Sequence, residues 1–106
     1  MSTTAYGRWG REVEDPSPDE VAEVLAELDG PGDDEHPDVW IDHSSGWALS
    51  AFVSGLLVWE KPEPEPEEGP FHMKDVSRVL AERLFLALTR DDLDTVHAQE
   101  WTPGYG

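Results

Sequence analysis

Cysteine is absent from this chain, and basic residues, methionine and long apolar runs are scarce. Without cysteine, disulfide frameworks, thiolate zinc sites and cysteine nucleophiles are excluded by composition. The absence also suits a reducing compartment. No apolar run approaches the roughly 20 residues of a membrane helix. The opening MSTTAYGRWGREVED holds no apolar signal-peptide core. A soluble, cytoplasmic protein that does not enter a membrane is expected.

Positive charge is scarce relative to negative. Only 7 Lys and Arg stand against 24 Asp and Glu, a formal net charge of −17. The excess is localised: residues 12–68 hold 18 acids and the single base Lys61, whereas residues 69–106 hold 6 acids and 4 bases. Such a field repels nucleic acid and anionic membranes and steers basic proteins into encounter. Solubility alone is the competing account of the same charge.

The richest stretch is WALSAFVSGLLVWE, residues 47–60. Trp47, Leu49, Ala51 and Val53 alternate with Ala48, Ser50 and Phe52. Ser54-Gly55 then offers a two-residue turn before Leu56, Leu57, Val58 and Trp59, a β-hairpin pattern. Five Trp in 106 residues give a single small core much of its buried area.

Before the hairpin, Ser17-Pro18-Asp19-Glu20 predicts a helix start with a capping box. Val21, Val24, Leu25 and Leu28 form one apolar stripe, and Gly30-Pro31-Gly32 stops the helix. Glu20, Glu23, Glu27 and Asp29 are left to face solvent or a partner. After a polar connection at 33–37, Asp38 to His43 reads as a strand with Val39 and Ile41 on one face and Trp40 on the other. Residues 61–70, alternating Pro and Glu, predict an extended solvated loop. Phe71 to Asp75 returns as a fourth strand, with Phe71 and Met73 toward the core. A second helix, capped by Asp75 or Ser77, carries Val79, Leu80, Ala81, Leu84, Phe85, Ala87 and Leu88. Asp91-Asp92 restarts a short helical turn, and Trp101 plugs the edge between helices and sheet.

The expected fold is α+β: a two-layer, four-stranded antiparallel sheet with two main helices on one face, in the order α-β-β-β-β-α. Residues 1–15 are expected to be a flexible arm, and residues 16–106 a single domain with the Pro-Glu loop at 61–70. The open sheet face would carry several of Trp40, Ala48, Ser50, Phe52, Leu57 and Trp59. The register stays undecided, because a slip of one residue inverts the faces. An aromatic sheet face of this kind marks a contact surface, unless the arm or the tail covers it.

Signals for chemistry are thin. His36, His43, His72 and His97 show no recognised ligand spacing, and DDEHPD lacks the glycine and terminal glutamate of a calcium loop. No serine stands in a GxSxG elbow, and no glycine-rich loop precedes a helix. Aromatic base stacking on a sheet needs a positive groove that is missing here. An enzyme, a cofactor and nucleic-acid binding are therefore not expected. The alternative from another class is a small metal- or ligand-binding enzyme using His43 and His72. A homodimer that covers the aromatic face symmetrically is a third.

The block WALSAFVSGLLVWE, the segment HMKDVSRVLAERLFLAL and the ending LDTVHAQEWTPGYG resemble the small acidic immunity proteins encoded beside polymorphic toxins in bacteria, actinobacteria in particular. The resemblance rests on 45 of the 106 residues as a pattern and implies a toxin-neutralising binder, with no site residues carried over. From the residues themselves, the candidate contacts with a basic protein partner are Glu23 and Glu27 on the first helix, Asp38 and Asp42 on the first strand, and the aromatics Trp40 and Trp59.

Overall fold

A computed structural model describes residues 2–29, 38–61 and 70–105. Its elements run β1 (Thr3–Tyr6), β2 (Glu12–Glu14), α1 (Pro18–Ala26), β3 (Asp38–His43), β4 (Ala48–Phe52), β5 (Leu57–Glu60), β6 (Phe71–Met73), α2 (Arg78–Thr89), α3 (Leu93–His97) and β7 (Thr102–Pro103). A 3-10 turn at Glu27–Asp29 closes α1. All seven described strands join one antiparallel sheet in the order β2-β1-β3-β4-β5-β6-β7. The class is α+β, but the expected four-stranded sheet with two helices is replaced by seven strands and three helices among the described residues. The expected helix stop at 30–32, the polar connection at 33–37 and most of the Pro-Glu loop lie outside the described residues.

The extra strands come from segments too short or too small-sided to show periodicity. Residues 3–14, expected within a flexible arm, form the β1–β2 hairpin, and β1 inserts against β3 with Thr3 opposite His43 and Tyr6 opposite Trp40. Ala5 is wholly buried and Thr3 nearly so. β7 adds two residues of the tail to β6.

Three hairpins use the same turn. Arg8-Trp9-Gly10, Ser44-Ser45-Gly46 and Val53-Ser54-Gly55 are three-residue loops whose last residue is a glycine at φ 90°, 101° and 91°. In each, the flanking residues close the loop, as in Phe52 N–H donating to the Leu56 carbonyl at 2.9 Å. This is the three-residue hairpin that ends in a left-handed glycine. Every strand pairing then keeps parity, and odd-numbered strand residues face one side of the whole sheet while even-numbered residues face the other.

The odd side is the core. Ala5, Val39, Ile41, Leu49, Ala51, Leu57 and Trp59 pack against Val21, Val24, Leu25 and Leu28 of the first helical segment, Leu84, Phe85 and Leu88 of α2, and Val96 of α3. Trp59 stacks on Trp47 at 4.7 Å between centroids and, on its other side, lies parallel to Trp101 at 6.4 Å. Trp101 donates its indole N–H to the Val96 carbonyl, which is the plugging role expected for it.

The helix starts form as the sequence predicts. The Ser17 Oγ accepts from Glu20 N–H, and the Glu20 carboxylate accepts from Ser17 N–H. Of the two candidates for α2, Ser77 is the cap. The last turn of α1 has no basic residue of its own, so remote arginines serve its C-terminal carbonyls. Arg8, from the β1–β2 turn, donates to the Glu27 carbonyl at 2.9 Å. Arg78, from α2, donates to the Leu25 carbonyl at 2.8 Å and forks onto Asp29.

Deleting residues 2–14 tests the central place of β1. The deletion uncovers the edge of β3 and removes Ala5 from the core, and should lower the thermal midpoint by roughly 10 °C or more, or abolish the cooperative transition. A flexible arm would leave the circular-dichroism melting curve unchanged.

Candidate partner-binding face

No described strand residue is Lys or Arg, and the five acids on the described strands (Glu12, Glu14, Asp38, Asp42 and Glu60) all have even numbers. They therefore share the face turned away from the described helices. Two cross-strand rows organise that face. One runs Glu12, Tyr6, Trp40, Ser50, Val58, His72; the next runs Glu14, Thr4, Asp42, Ala48, Glu60. Asp38 lies opposite Phe52 in a third. Tyr6 and Trp40 stack with centroids 4.9 Å apart and planes 17° from parallel. Both are half-buried, as is Phe52.

At the β5–β6 end, the tail turns onto this face. His72 is buried and its Nδ1–H donates to the Gly104 carbonyl at 3.0 Å, and the Tyr105 hydroxyl donates to Glu60. Cover by the tail, one of the expectations for this face, thus holds at that end.

The electrostatics follow from crowding. Loss of surrounding water holds the carboxyls of Asp38 and Asp42 above the ordinary aspartate range. The Tyr6 phenol is also pushed up, first by desolvation and then by the negative charges of Glu12, Asp42 and Glu14. The face is acidic, aromatic and partly dry.

Of the six residues expected to contact a partner, Asp38, Trp40 and Asp42 fall together here. Trp59 does not. It is fully buried on the helix side, with its indole N–H donating to His97 Nδ1 at 3.1 Å. The expected two-residue turn at Ser54-Gly55 would set Trp59 opposite Ser50, on the open face. The observed loop has one residue more and sets it opposite Leu49, in the core. Leu57 crosses over for the same reason.

Glu23 and Glu27 lie on α1 and the turn that closes it, and both have internal partners. Glu23 pairs with Arg11 at 2.9 Å at an exposed position. The Glu27 carboxylate accepts from Arg8 N–H at 2.9 Å. It lies so close to Gly7 that a Cβ there would stand 2.6 Å from its oxygens. Sequence reasoning missed Tyr6, Glu12 and Glu14, because nothing in residues 1–15 revealed a strand.

His43 and His72 cannot share a ligand. They face opposite sides of the sheet, three strands apart. Among the described residues no group of three or more His, Asp or Glu is placed to hold a metal ion. His43 does sit between Asp91 (2.7 Å from Nε2) and Ser45 Oγ (2.8 Å from Nδ1). The surrounding amides are occupied: Ser45 N–H donates to His43 Nδ1, Gly46 N–H to the His43 carbonyl and Trp47 N–H to Ser45 Oγ. The triad ties the β3–β4 turn to the end of α2.

No family model, curated protein or solved structure matches this chain. No described helix is long and apolar enough to cross a membrane.

The two helix acids should separate in a urea denaturation series. Glu27→Ala strands the buried Arg8 segment and should cost about 1–3 kcal/mol. Glu23→Ala, at an exposed ion pair, should leave the midpoint nearly unchanged. Equal effects would contradict the structural role given to Glu27.

Proposed function

We propose that this chain is a non-enzymatic binding protein that neutralises or regulates a basic protein partner, in the manner of a toxin immunity protein. The observation that carries the reading is the segregation of the open sheet face. Five carboxylates surround the Tyr6–Trp40 stack and Phe52, with no strand Lys or Arg among them. Charge of one sign steers encounter, and a partly dry aromatic centre gives the contact its affinity. The contact set is then Asp38, Trp40 and Asp42, joined by Tyr6, Glu12, Glu14 and Phe52. The resemblance to immunity proteins supplies the biological setting; the face supplies the physical means.

The test is capture from the source lysate by the wild-type protein and by the Asp38→Asn/Asp42→Asn double variant, each at low and high salt. A basic protein retained by wild type, weakened by salt and lost with the double variant is the expected result. Capture indifferent to both changes would overturn the reading. Affinity for that partner should also depend on pH. The free carboxyls titrate above the aspartate range, and a cation beside them lowers their pKa, so the complex binds fewer protons than the free protein. Affinity should therefore be full above the raised free-state pKa and fall as pH drops through it. An affinity that rises on acidification would contradict this placement.

Symmetric self-association through the same face would set five carboxylates against five. Light scattering at low salt should give the monomer mass, and a dimer that survives low salt would revive the homodimer reading.

A further inference from the structure

We infer that the centre of the open face takes a guanidinium: an arginine side chain of the basic partner lies against the indole of Trp40 and donates to Asp42 or Asp38. This inference rests on the open face being the docking surface and specifies the chemistry that it recognises.

The geometry of the rows carries the argument. Tyr6 stacks on Trp40 from the β1 side. On the β4 side, the cross-strand neighbour of Trp40 is Ser50, and the neighbour of Asp42 is Ala48. Both side chains are too short to cover an indole, so β4 is low at Ala48 and Ser50; Phe52, the next β4 residue on this face, stands at the end opposite Asp38. Beside this low stretch of β4 stand Trp40 and Asp42 on β3; on the β5 side Val58 is already buried and Glu60 is half-buried. With strands about 4.8 Å apart, the backbones of β3 and β5 lie about 10 Å from one another. Asp38 and Asp42 flank Trp40 two residues away on the same strand, about 7 Å in either direction.

Arginine suits this site better than lysine for physical reasons. A guanidinium is flat, weakly hydrated and carries a fork of N–H donors, so it stacks on an aromatic ring and binds a carboxylate at once. An ammonium is compact and strongly hydrated, and it gives up that water at greater cost beside an indole and two carboxylates that are themselves partly desolvated. The other bounding acid, Glu60, accepts from the Tyr105 hydroxyl through one oxygen.

Short capped peptides of alternating alanine and arginine, or alanine and lysine, matched in length and charge, test the inference by titration calorimetry. On the wild-type protein the arginine peptide should bind roughly tenfold more tightly. Trp40→Leu should remove that preference, so that the variant binds the two peptides equally. In the wild-type protein, the Trp40 indole N–H resonance should shift with the arginine peptide and stay still with the lysine peptide, a readout that does not depend on any variant folding. Equal affinities on wild type, a preference that survives Trp40→Leu, or an unmoved Trp40 resonance would each overturn the arginine site. In those cases the binding face itself stands if both peptides weaken on the Asp38→Asn/Asp42→Asn variant. Two peptides that do not bind, or that ignore that variant, overturn the face and the arginine site together.

Discussion

The pairing of β1 with β3 is the constraint on which the rest depends. It turns the first residues of the chain into an interior strand, buries Ala5 beneath α1, and brings Tyr6 to Trp40. It also carries the β1–β2 turn to the end of α1, where Arg8 meets the Glu27 carbonyl and carboxylate. Remove that pairing and the helix loses a partner for its C-terminal end, the sheet loses two strands, and the open face loses half of its aromatic stack.

Charge is distributed between two tasks. Three of the five acids of α1 and its closing turn are met by arginine segments from inside the molecule: Glu23 by Arg11, Glu27 by the Arg8 segment, and Asp29 by Arg78. These contacts place three of the few basic residues on the helix layer. The acids on the strands meet no such arginines in the sheet, because no described strand residue is Lys or Arg. A net charge that the sequence concentrates in residues 12–68 is therefore divided again in space. Part of the helix layer's charge is compensated locally, whereas the described strands carry five acids and no Lys or Arg.

That unevenness decides how the sequence should be read for function. A count of acids marks Glu23 and Glu27 as strongly as Asp38 and Asp42, since all four are carboxylates in an acidic half. Only the arginines that fold brings near them tell the pairs apart. The same holds for the aromatics. Trp40 and Trp59 read alike as large rings on alternating strands, yet one lies beside Tyr6 on the open face and the other is sealed between Trp47 and Trp101.

By itself, the sequence determined the elements whose signals are local: the Ser17 capping box, the apolar stripes of α1 and α2, the strands from Asp38 to Glu60, and the α+β class. Each depends on contacts within a few residues, so the pattern is written where the structure forms. Tertiary structure decided what depends on distant partners. Thr3 to Tyr6 has no periodicity of its own and becomes a strand only because β3 offers it an edge. The face on which Trp59 lies follows from one residue of loop length, which Gly55 settles by closing a three-residue turn in the left-handed conformation. Alternation along a strand says which residues lie together, but only the register against its neighbour says which side is the core.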